Sequence, residues 1–118
     1  MDALDVRARA VVRYVRLSAH KARLVADLVR GRDVTEALNI LRFTPKAAAK
    51  VLAKAIASAA ANAEETHGLS PSELYVAQIT ADEGPMLKRG HPGARGRFKP
   101  VLKRSAHITV VLAERVRA

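Results

Sequence analysis

Small apolar and cationic side chains interleave along residues 6–16, where Ala8, Ala10, Val12 and Tyr14 stand largely apart from the arginines. Period-two alternation predicts a strand with one buried and one cationic face, slipping near Val11-Val12. The spacing then becomes helical. Ser18 is placed as an N-cap for a helix to about Arg30, with Leu24, Val25, Leu28 and Val29 as its apolar stripe and Gly31 as its left-handed stop. Asp33-Val34-Thr35-Glu36 has capping-box spacing and opens a short second helix through Ala37, Leu38, Ile40 and Leu41. Thr44-Pro45 reads as N-cap and first position of a third helix, alanine-rich and running to about His67 before Gly68. Leu52, Ile56, Ala59 and Ala63 form its expected core face. Lys46, Lys50 and Lys54 follow at i, i+4 and i+8, as either a solvated face or a ridge that tracks phosphates.

Leu69 to Ser72 is a turn, and a strand over 74–82 follows. The last strand spans about 101–113, with Leu102, Ala106, Ile108, Val110 and Leu112 on one face and Lys103, Ser105, His107 and Thr109 on the other. The order predicts an α+β fold, a three-stranded antiparallel sheet packed with three helices. It is expected to be one domain: a body of about 1–82 and 104–118, carrying a protruding basic β-hairpin arm of about 83–103.

The arm is the least ordinary part of the chain. Residues 84–107 contain seven Lys/Arg, three Pro, four Gly and no Asp or Glu. So many uncompensated cations repel one another, and too few apolar residues are present to hold the segment by packing. A large polyanion is the natural ordering partner. Legs of roughly 11 residues at ~3.3 Å each give a reach of about 35 Å. Gly90, Pro92, Gly93 and Gly96 belong near its end, where the chain must reverse.

Composition extends this picture. Net charge is +10, from 21 Lys+Arg against 11 Asp+Glu, and aromatics make up only 3% of the 118 residues. The basic residues are spread over the first strand, the first and third helices and both legs of the arm. Such a distribution suits a protein embedded in a polyanion, and the scarcity of aromatics favours phosphate and shape recognition of folded RNA over a stacking platform. Cysteine is absent, which excludes disulfides and thiolate chemistry. No run is long and apolar enough to span a bilayer, and the N-terminus lacks the apolar stretch of a secretory signal, so the expectation is a cytoplasmic protein with no membrane partner.

Enzyme chemistry has no foothold. Gly90, Gly93 and Gly96 are spaced GxxGxxG, unlike a dinucleotide loop, and His20, His67, His91 and His107 are too scattered to hold a metal. Asp82-Glu83 reads as hairpin residues making salt bridges near the arm's base. No enzyme activity, metal or cofactor is expected. An architectural DNA-binding protein with a minor-groove β-ribbon is the alternative from another class. It would need a dimer with an apolar interface, for which the chain shows no spare apolar face, so no homo-oligomer is expected.

The order of these features resembles the universal large-subunit ribosomal protein family whose hairpin lines the peptide exit tunnel (bacterial large-subunit protein twenty-two). The resemblance lies in Ala19-His20-Lys21-Ala22-Arg23-Leu24-Val25 with Leu28-Val29-Arg30-Gly31, Glu36-Ala37-Leu38 with Leu41-Arg42-Phe43 and Pro45, and Ser58 to Glu64. It continues through Asp82-Glu83-Gly84-Pro85, Leu87-Lys88-Arg89, Pro92, Gly96-Arg97, Lys103-Arg104 and His107-Ile108-Thr109-Val110-Val111, so that about residues 8–113 are covered. It implies a structural protein of the large ribosomal subunit that binds its rRNA during assembly. The implied partners are that RNA, neighbouring large-subunit proteins and the nascent peptide. The body would be anchored on RNA by Arg7, Arg9, Arg13, Arg16, Lys21, Arg23, Arg30, Arg32 and His107. Lys88, Arg89, Arg95, Arg97, Lys99, Lys103 and Arg104 would anchor the arm. Carried over by position, the tunnel tip is Gly90, His91, Pro92, Gly93, Ala94, Arg95, Gly96 and Arg97. The chain departs from the family pattern at Gly93, where an arginine is usual, and at Phe98, where a small residue is common.

Overall fold

The computed structural model describes residues 7–85, 87–92 and 98–114. Strand β1 (Arg7–Val15) is followed by helices α1 (Ala19–Val29), α2 (Val34–Arg42) and α3 (Ala47–His67). A 3-10 turn (Pro71–Glu73) leads into β2 (Leu74–Glu83). Next come β3 (Leu87–Pro92) and β4 (Phe98–Lys103), and β5 (Ala106–Glu114) closes the described fold. The α+β expectation holds: β1, β5 and β2 form an antiparallel sheet in that order, and the three helices pack on one side of it.

Alternation decides which side. Ala8 and Ala10 of β1, Leu74, Val76, Ile79 and Ala81 of β2, and Ile108, Val110 and Leu112 of β5 are buried beneath the helices. Their neighbours in sequence face the other way. Register aligns Arg7, Ala113 and Tyr75 in one row across β1, β5 and β2, then Arg9, Val111 and Gln78, and then Val11, Thr109 and Thr80. That second face carries no helix.

α3 supplies the centre of the core. Leu52, Ile56, Ala59 and Ala63 are fully buried, as expected, and so is Ala55. Gly68 ends the helix at φ +67°, and Gly31 follows α1 at φ +82°. An L side chain in this left-handed region clashes with its own backbone, which is why glycine occupies both sites.

Several local expectations are corrected. On α1 the buried residues are Ala19, Ala22, Val25, Ala26 and Val29, while Leu24 and Leu28 are 55% and 47% exposed. Close approach to β2, α2 and α3 selects the small side chains and turns the leucines outward. Ser18 and Asp33 occupy N-cap positions without a side-chain cap bond, and Glu36 pairs with Arg32 at 3.0 Å in place of closing a capping box. α3 starts at Ala47, two residues later than Pro45 suggests. Thr44 donates its hydroxyl to the Ile40 carbonyl at 2.6 Å, so it serves the end of α2 and not the start of α3.

Tyr14 is the clearest reversal. A register shift between Val12 and Val15 in the β1–β5 pairing places it at φ +58° and 64% exposed, off the buried face expected of it. β-bulges bend a strand and re-aim a side chain in this way.

Both outer edges of the sheet bond to other parts of the chain, β2 more extensively than β1. At β2 the Gly31 amide donates to the Val76 carbonyl (2.9 Å) and the Val76 amide donates to the Arg32 carbonyl (2.9 Å). Further along, Arg30 at the end of α1 and Arg23 within it donate to the carbonyls of Ile79 and Ala81, each at 2.9 Å. At β1, Asn62 of α3 donates to the Arg9 carbonyl at 3.2 Å.

β3 and β4 form a separate two-stranded ribbon, with Leu87 beside Lys103 at one end and Pro92 beside Phe98 at the other. The molecule measures 69 × 28 × 22 Å along its principal axes, with a radius of gyration of 17.6 Å. A compact chain of this length would have a radius of about 13 Å. The protruding arm accounts for the difference.

Candidate nucleic-acid interface

Cations reach the surface because the sheet and helices each bury one parity or stripe and leave the other outside. On β1, burial of Ala8 and Ala10 forces Arg7 and Arg9 onto the face without helices. Arg13, within the bulge, and Arg16, just after β1, are exposed too. Lys21 and Arg23 are exposed on α1, and Arg32 is exposed in the loop that follows. Lys46, Lys50 and Lys54 are all exposed along α3, as their spacing suggests.

The predicted RNA-binding set is not uniform. Arg23 and Arg30 spend donors on β2 carbonyls, Arg30 also pairs with Asp27, and Arg32 pairs with Glu36. These side chains hold the fold as well as adding charge. A guanidinium has five N–H donors, so each keeps others free to meet a phosphate. Asp82 and Glu83 are exposed, and among the described residues neither forms an ion pair.

His107 is likewise committed. The Tyr14 amide donates to its Nδ1 at 3.1 Å, and the Tyr14 and His107 rings stand perpendicular with centroids 4.9 Å apart. An accepting Nδ1 puts the neutral ring's proton on Nε2.

These interactions belong to the joint between sheet and arm. β2 and β5 stay paired as far as Glu83 and Ala106. Pairing then breaks at Gly84-Pro85 and Arg104-Ser105 before resuming as β3–β4. Ser105, expected on an outward face, is buried here and donates its hydroxyl to the Pro85 carbonyl at 2.7 Å, while the Gly84 amide donates to the Ser105 carbonyl at 3.0 Å. A Cβ on Gly84 would stand 2.6 Å from Ser105 Oγ and 3.2 Å from His107 Nε2. Gly84→Ala is therefore expected to destabilise the chain by about 1–3 kcal/mol through overpacking, measured by thermal melting. A melt matching the unsubstituted chain would show that the joint yields freely. Beside it lies a cavity of about 210 Å³, lined by Ala19, Glu83, Gly84, Arg104 and Ser105.

The arm cations take defined register positions. Lys88 pairs with Leu102, Arg89 with Val101, His91 with Lys99, and Lys103 with Leu87. Gly90, His91 and Pro92, expected at the tip, continue the ribbon opposite Pro100, Lys99 and Phe98. The rest of the expected tip, Gly93, Ala94, Arg95, Gly96 and Arg97, lies outside the described residues.

A second basic feature emerges only from the packing of two helices. α2 and α3 flank an open groove of about 630 Å³ with Leu38, Leu41, Pro45, Ala49 and Ala53 in its lining and Arg42, Lys46 and Lys50 among its charged residues. The Arg42 guanidinium lies 5.7 Å from the centroid of Phe43, which is 80% exposed. Sequence spacing puts the lysines on one line; only the α2–α3 packing sets Arg42 beside them. Among the described residues no His, Asp and Glu cluster is arranged to hold a metal, and no helix is long and apolar enough to cross a membrane.

Comparison with known proteins agrees with this arrangement. The sequence pattern of the family described as Ribosomal protein L22p/L17e matches residues 10–113. The chain is 54% identical over 110 residues to Large ribosomal subunit protein uL22 of Thermoanaerobacter sp. (strain X514), covering 93% of this chain and 99% of that protein. It is 53% identical over 110 residues to the protein of the same name from Carboxydothermus hydrogenoformans, covering 93% and 97% of the two chains. For that of Syntrophobacter fumaroxidans the identity is 52% over 107 residues, covering 91% and 97%. The match takes in the three helices, the sheet and the basic ribbon together, and the chain belongs to this family of large-subunit ribosomal proteins, which are structural and not enzymes.

Proposed function

We propose that this chain binds large-subunit ribosomal RNA, acts in assembly of the subunit, and uses its β3–β4 arm to line the nascent-peptide exit tunnel. The exposed arginines of β1 and the cations of α1 and α3 anchor the body, and the arm inserts between RNA segments. Gly90 to Arg97 form the tunnel-facing tip. Neighbouring large-subunit proteins and the nascent peptide complete its partners, within the large ribosomal subunit of the cytoplasm.

One observation carries this reading: a ribbon rich in Lys and Arg, without a single acid from Gly84 to His107, projects from a body that is cationic on several sides. A bare two-stranded ribbon is marginal in water. Enclosure by RNA would supply both the countercharge and the packing that the ribbon lacks.

The test is competition binding at near-physiological salt, large-subunit ribosomal RNA against duplex DNA, for the intact chain and for one lacking 86–100. Preference for the ribosomal RNA, weakened by the deletion, is the expected result. Equal or tighter binding to duplex DNA, with bending that depends on the arm, would transfer the protein to the architectural DNA-binding class.

A further inference from the structure

Tyr14 is held in a conformation that folding alone does not favour. Its φ of +58° is the only positive value at a non-glycine residue among the described residues. Glycine or asparagine would occupy this site with less strain. The tyrosine ring is not retained for core packing either, since the residue is 64% exposed. Strain at an exposed residue is informative when the surroundings over-determine it. Here the register shift, the amide bond to His107 Nδ1 and the perpendicular approach of the His107 ring all fix the same geometry.

The geometry leaves the ring available. Two perpendicular rings meet edge to face, so His107 takes at most one face of the tyrosine, and most of the residue stays exposed. Arg13 and Arg16 are exposed on either side of Tyr14 in the chain, and Arg104 is exposed at the arm's root. A pre-set, exposed aromatic ring with arginines close by along the chain fits one ligand chemistry well. The ring stacks on a planar base, while the cations meet the phosphates that flank it. A protein partner offering an apolar side chain would leave those cations uncompensated.

We infer that Tyr14 is a stacking site for a single unpaired nucleobase of the RNA, placed where the arm leaves the body. This rests on the RNA-binding reading above and adds to it one interaction whose strength does not depend on counterion release. Overall scarcity of aromatics is consistent with one such stack in an otherwise electrostatic interface.

Salt dependence separates stacking from phosphate binding. The full chain and its Tyr14→Phe, Tyr14→Gly and Tyr14→Asn variants would be titrated with transcribed large-subunit ribosomal RNA at several salt concentrations, with chemical probing of unpaired nucleotides in each complex. Glycine and asparagine both tolerate the positive φ, so either variant reports on the ring if the other folds poorly. The backbone amide that bonds to His107 is present in all of them. Tyr14→Phe is expected to bind as the unsubstituted chain does. Tyr14→Gly and Tyr14→Asn are expected to bind about tenfold more weakly at every salt concentration, with an unchanged salt slope and one nucleotide newly reactive. Full affinity in both ringless variants overturns the inference, as does weaker binding without any newly reactive nucleotide. Salt-independent binding by the unsubstituted chain would overturn the RNA-binding reading itself.

Discussion

Leu52→Ala is expected to remove about 2–5 kcal/mol of folding stability. That is a large part of the roughly 5–15 kcal/mol available to a domain of this size. The helix itself does not suffer, because alanine is the best helix former. The loss comes from the space left behind. Leu52 is fully buried in the second turn of α3, and much of the core it joins is alanine and valine. Short side chains on a helix fixed against a sheet cannot swing in to fill a cavity, so the site collapses poorly and the cost falls in the upper part of the range. Urea unfolding of Leu52→Ala beside Lys54→Ala measures it. The exposed lysine on the same helix should change stability by no more than about 0.5 kcal/mol. Equal effects at the two positions would mean that the core is not centred on this helix.

The second large effect concerns RNA. Replacing Arg7, Arg9, Arg13 and Arg16 together by glutamine removes four exposed cations, with a circular dichroism melt to check that the fold is kept. Affinity for large-subunit ribosomal RNA is expected to fall by about two to three orders of magnitude near 0.15 M salt. The slope of log K against log salt should become shallower by about 3, at roughly 0.7–0.9 for each phosphate no longer neutralised. Binding isotherms at four or five salt concentrations give both quantities. An unchanged slope would show that β1 faces something other than phosphate.

Most of the architecture could be read from the sequence because its signals are local. Strand alternation, the alanine-rich α3 with its glycine stop, and an acid-free run between two strand patterns each depend on a short stretch of chain. What could not be read depends on close packing between elements. Hydrophobicity ranks Leu24 and Leu28 above Ala22 and Ala26, yet the narrow space under α1 takes alanine and valine and turns the leucines out. Ser18 and Asp33 stand where helix caps belong, but tertiary packing, not cap bonds, holds those helix starts. Tyr14 changes side at a register shift that depends on β5, nearly a hundred residues away. At the interface, charge identified the cations without revealing that Arg23 and Arg30 also hold the edge of β2. Only coordinates distinguish an arginine that offers all its donors from one that shares them.

Those edge bonds matter before the protein reaches its place. Until a partner covers it, a folded chain meets other copies of itself in solution. Unpaired strand edges are templates for sticking to another chain. Here a new strand approaching β2 would first have to displace the Gly31–Arg32 loop and two guanidinium groups, and one approaching β1 would meet Asn62. Positive charge then repels a like molecule that comes close. On the proposed reading, an arginine that reaches back to β2 is thus expected to oppose self-association of the chain as well as to attract an anion.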